Sequence, residues 1–125
     1  MLTIRDAQMS AFAAGAVKRF EEAAMLHLER SIPGFCAELG PGLLATFVHE
    51  AVSRGLSHGL EEDHDLLRFI NLTFLLEPGF DDDPELPWAK AYLADRDIPP
   101  SARLDLLYSH AEAYLEQIDR EEHRG

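Results

Sequence analysis

The sequence predicts an all-α fold: a single compact bundle of about five helices around a central hydrophobic helix. Three observations lead there. Apolar residues recur at helical spacing in several separate stretches, no stretch carries a strand signal, and breaks rich in Pro and Gly divide the chain into pieces of helical length. The central piece is 65–76, DLLRFINLTFLL, where only Arg68, Asn71 and Thr73 interrupt the apolar residues between Leu66 and Leu76. A helix apolar nearly all round must be covered on most sides. This one is too short to cross a bilayer.

The first helix is expected over 4–31. Thr3-Ile4-Arg5-Asp6 has capping-box spacing, and Met9, Phe12, Ala13, Ala16, Phe20, Ala24 and Leu28 form one apolar stripe. The small run Ala13-Ala14-Gly15-Ala16 predicts a close crossing by another helix. Lys18, Arg19, Glu21, Glu22, Glu29 and Arg30 make a solvated face. Ile32-Pro33-Gly34 breaks this helix, 35–39 makes a short helical plug, and Gly40-Pro41-Gly42 breaks the chain again.

A second long helix is expected over 43–58, with Leu44, Phe47, Val48, Ala51 and Val52 buried and His49, Glu50, Ser53, Arg54 and Ser57 opposite. Gly55 inside it marks a close approach, and Gly59 is its stop. Glu61, Glu62 and Asp63 place carboxylates at the positive end of the central helix. Arg68 and Asn71 share one face of that helix and are open to contact with a partner or with a loop of the same chain, the loop being the commoner outcome. The irregular stretch 79–87, GFDDDPELP, follows. Asp83-Pro84 is read as N-cap and first position of a short helix carrying Trp88, Ala91, Tyr92 and Leu93. Pro99-Pro100 opens the last helix, 100–120, whose stripe is Leu104, Leu107, Tyr108, Ala111, Leu115 and Ile118. Residues 118–125 are a polar tail expected to fray.

At 125 residues, with 46% hydrophobic and 27% charged residues, the chain fits one globular domain. Eleven Lys and Arg against twenty-three Asp and Glu give a formal net charge of -12. That balance argues against nucleic acid and against an anionic membrane surface as partners. It suits solubility, the commoner reading, or a basic protein partner. The single cysteine, Cys36, excludes an intrachain disulfide framework and sits where a buried thiol is more common than a reactive one. No signal-peptide pattern opens the chain, so a cytoplasmic location is expected.

Motifs for chemistry are incomplete. His49-Glu50 starts like H-E-x-x-H, but Ser53 stands where the second histidine belongs. His58 and His64 bracket the acidic turn HGLEEDH and match no metal-ligand spacing; exposed loop histidines are far more common. Asp81, Asp82 and Asp83 lack the EF-hand register. There is no G-x-S-x-G elbow and no phosphate loop. No catalytic, cofactor or metal-binding residue is therefore assigned, and a metal-dependent enzyme is only a distant alternative. Trp88, between prolines and an alanine-rich helix, and Phe80, beside three aspartates, have the make-up of an interaction hot spot. The competing reading folds both back as lids; it is the commoner outcome for a lone tryptophan and evenly balanced for Phe80. The candidate partner-binding residues are Phe80, Asp81, Asp82 and Trp88.

One resemblance adds to this. Ile4, Arg5, Gln8 and Met9 opening a long helix, then FLLEPGFDDDP, then Pro87-Trp88-Ala89, then SARLDLLY (101–108) follow one another over nearly the whole chain. In that order they resemble small acidic helical proteins encoded beside type VI secretion effectors and their adaptor chaperones. The resemblance implies a non-enzymatic role: a cytoplasmic co-chaperone or adaptor that binds an effector or its loading adaptor, without a cofactor. It carries no family binding residues over. An immunity protein neutralising a toxin is the alternative of a different class.

Overall fold

The computed structural model describes the backbone of residues 4–124 and the side chains of residues 15–123. The fold is all-α, with no strand among the described residues. The helices are α1 (Ile4–Ser31), α2 (Pro33–Ser57), α3 (Asp63–Leu76), α4 (Pro87–Ala94) and α5 (Pro100–Arg124), with a 3-10 turn at Phe80–Asp82. Contacts group the chain into two units, one ending at Glu50 and one beginning at Ala51, so the boundary falls within α2.

In the first unit, the break between α1 and α2 is one residue wide. Pro33 has no N–H to give, yet Ile32 N–H donates to the Leu28 carbonyl at 2.8 Å and Cys36 N–H to that of Ile32 at 3.2 Å. The second break is sharper: Gly40 leaves the helical region at φ 79°, ψ 163°, a conformation glycine adopts freely. It separates the short opening piece of α2 from the long one, as the GPG triplet predicts. Ala24, Leu28, Cys36, Leu44 and Val48 are buried, and Phe35 meets Phe47 edge-on at 5.5 Å. His49 on α2 pairs with Glu21 on α1 at 3.0 Å. The crossing expected at the small-residue run is not found at Gly15, where a Cβ would meet only Arg19, at 3.5 Å among the described residues. The expected cap at Thr3 lies outside the described residues, as do the side chains of Met9, Phe12 and Ala13.

In the second unit, α2 ends in a Schellman motif. Leu60 N–H donates to the Gly55 carbonyl at 3.1 Å and Gly59 N–H to the Leu56 carbonyl at 3.0 Å, with Gly59 at φ 83°. Leu60 is fully buried there. Gly55 is indeed a close approach: a Cβ on it would come within 2.9 Å of Leu66 and 3.4 Å of Phe69. The central helix α3 buries Asp65, Leu66, Phe69, Ile70, Leu72, Thr73 and Leu76, while Phe74 and Leu75 at its end keep 36% and 45% exposure. Its burial is therefore one broad face rather than nearly all round. Arg68 reaches helix α5, not a loop: it binds Asp105 at 2.6 Å and lies over the Tyr108 ring at 5.2 Å, and Asn71 on the same face lowers the Tyr108 hydroxyl's pKa against its burial. Asp65 beside Ser101 and Arg68 beside Asp105 make α3 and α5 run in the same direction.

Two boundaries differ from expectation. The short helix starts at Pro87, with Leu86 as N-cap, because Asp83 instead closes the 3-10 turn and its carboxylate accepts from Glu85 N–H at 2.9 Å. Helix α5 carries on through the polar residues after Ile118 to Arg124, where His123 and Asp119 meet one turn apart.

Candidate functional site

The stretch after α3 was the sequence's best lead, and its geometry starts from strain. Glu77 ends α3 at φ 78°, ψ 153°, a region that side-chain-bearing residues rarely occupy, and Gly79 follows at φ 89°. The double reversal turns the chain back so that Phe80, 1% exposed, inserts beside Phe69 at 5.2 Å between ring centroids. Asp81, next in line, is carried inward with it and is 4% exposed. Its carboxylate accepts from Arg54 Nε at 2.8 Å and from His58 Nε2 at 2.7 Å, and Arg54 Nη2 adds a second contact at 2.8 Å. Both donors lie one turn apart at the end of α2, so this clamp ties the turn to that helix. A carboxylate so buried requires such pairing.

The four candidate residues therefore separate. Phe80 and Asp81 are core, and in this conformation they have no surface to present; packing against Phe69 and the hydrogen bonds from Arg54 and His58 account for it. Asp82 is exposed and pairs with Lys90 at 2.9 Å. That bond and the Lys90 charge hold its carboxyl below the usual aspartate range. Trp88 stays part-exposed at the start of α4. Its indole stacks on the His110 imidazole of α5 at 4.1 Å and 12°, and Tyr114 lies tilted against it at 5.7 Å. Tyr92, one turn along α4, meets the same imidazole edge-on, its hydroxyl 3.0 Å from His110 Nδ1. Trp88, Tyr92, His110 and Tyr114 thus form an aromatic ledge along the α4–α5 seam. Of the four candidates, Trp88 and Asp82 alone reach the surface.

Sequence reading missed three polar residues that position this region. Arg103, 4% exposed, lies on the α5 face assigned to packing. It donates through Nη1 to the carbonyls of His58 (3.0 Å) and Leu93 (2.9 Å) and through Nε to that of Ile98 (2.8 Å). One guanidinium so holds the ends of α2 and α4 and the loop into α5; helix C-termini leave carbonyls in need of donors. Asp65, 1% exposed, accepts from the Ser101 hydroxyl at 2.8 Å at the start of α5. His110 had no signal beyond its spacing of three from Leu107. His58 belongs to the Asp81 clamp and His64 is exposed on the first turn of α3. Among the described residues, no three His, Cys, Asp or Glu side chains converge as a metal site would require.

No protein-family model matches the chain, and no curated protein or solved structure matches it significantly. No helix among the described residues is long and apolar enough to cross a membrane.

Proposed function

We propose that this chain is a non-enzymatic, protein-binding accessory factor, a co-chaperone or adaptor for a type VI secretion effector. The observation that carries the binding role is the part-exposed Trp88, held rigid by its stack on His110. A large aromatic already packed before its partner arrives loses less entropy on binding, and tryptophan is enriched at interaction hot spots. The net charge of -12 would speed encounter with a basic partner. The effector-loading part of the proposal rests on the sequence resemblance, with the partner an effector or the adaptor that loads it in the cytoplasm.

The test is affinity capture with the tagged full chain from native cells, at low and high salt, comparing wild type with Trp88→Ala. Circular dichroism first establishes that the variant folds. A secretion effector or its adaptor should co-purify at low salt, fall away at high salt, and drop by about 30-fold for Trp88→Ala, the effect of losing a hot spot. Recovery of the bait alone at both salts would refute the accessory role. Equal capture by wild type and variant would remove Trp88 from the contact. A captured toxin whose lethality the chain suppresses would replace loading by immunity.

A further inference from the structure

A concave site lies in the unit that ends at Glu50. The bend of α2 at Gly40 and the entry at Pro33 leave a pocket of about 370 Å³ lined by Glu29, Pro33, Cys36, Ala37, Pro41 and Leu44. That size is within the range of small-molecule sites. The walls are mostly apolar, and the Glu29 carboxylate is the one formal charge among the lining side chains. No cation is paired with Glu29 among the described residues. Cys36, 7% exposed, forms part of the wall.

We propose that this pocket binds an aliphatic chain ending in a primary ammonium, with the ammonium on Glu29 and the methylenes over Pro33, Ala37, Pro41 and Leu44. The chemistry is complementary at both ends. A carboxylate at the edge of an apolar wall attracts a cation that sheds little apolar contact in reaching it, and a lysine-like stem covers such a wall well. An anionic ligand would meet Glu29 instead. Burial, and then the Glu29 charge, push the Cys36 thiol above its ordinary value, so the wall beside Glu29 carries a neutral thiol.

The experiment titrates the nitrogen-labelled full chain with n-hexylammonium, hexanol, hexanoate and Nα-acetyl-lysine methylamide, following backbone amide signals. Saturable shifts at Glu29, Cys36, Ala37 and Leu44 are expected with hexylammonium, and none with hexanoate. Glu29→Gln, exposed and tolerant of change, should weaken hexylammonium by about five-fold and leave hexanol unchanged. Saturable binding of the lysine derivative as well would point to a lysine side chain as the natural occupant; binding of hexylammonium alone would point to a free amine. Equal affinity for hexylammonium and hexanol, or absence of localised shifts with hexylammonium, overturns the proposal.

Discussion

Replacing Arg103 by methionine is the most informative perturbation of this fold. Methionine keeps the length and apolar contacts of the stem and removes every donor. The carbonyls of Leu93 and Ile98 then lose their Arg103 bonds of 2.9 and 2.8 Å, while that of His58 keeps a 3.2 Å bond from Arg96. The Leu93 carbonyl is buried and that of Ile98 part-buried, and losing these donors costs roughly 1–3 kcal/mol each, less at Ile98 where water can reach. Part of that is offset because the guanidinium no longer has to be desolvated. The expected net loss is about 3 kcal/mol, on the order of 10 °C in Tm for a chain of this size. Arg103→Lys should recover less than half of it, because one ammonium cannot span three carbonyls held by a planar fork. Arg96→Met, at an exposed position, should cost less than about 1 kcal/mol. Urea unfolding of the three variants at neutral pH, followed by circular dichroism, gives the comparison. If Arg103→Met falls within about 0.5 kcal/mol of wild type, or Arg103→Lys matches wild type, the carbonyl-clamp reasoning is wrong.

Two further outcomes follow from backbone strain and from titration. Glu77→Gly removes a side chain from a conformation suited to glycine and should stabilise the protein by about 1 kcal/mol after glycine's own entropy cost; a loss in urea unfolding would mean Glu77 makes contacts that outweigh the strain. Burial raises the Tyr108 hydroxyl, against a lowering by Asn71 and Arg68, so the native state holds this proton to higher pH than the unfolded chain does. Its contribution is therefore intact below about pH 10 and is lost as pH rises beyond. Tyr108→Phe should lower stability at pH 7 by about 1 kcal/mol, the hydrogen bond to the Arg68 carbonyl, yet flatten the alkaline decline. An unchanged alkaline slope in urea titrations from neutral to alkaline pH would contradict that assignment.

The sequence by itself determined the helices, because helix formation is local. Apolar residues three and four apart, the prolines at 33 and 100, and glycines at 40 and 59 specify starts and stops through short-range sterics. Even the close approach at Gly55 was legible, since a glycine costing helix propensity needs a packing reason. Tertiary structure alone decided the fate of the polar residues. Arg54 and Asp81 are 27 positions apart and Arg103 and His58 are 45 apart, so nothing in their neighbours announces the pairing. Asp81 is one of three consecutive aspartates with nothing local to single it out, and it became the buried one because Phe80 beside it packs against Phe69. Trp88 went the other way, half covered by a histidine that only the antiparallel seam of α4 and α5 brings to it. Periodicity reports which face of a helix is apolar; which charge is buried depends on a partner distant in the chain.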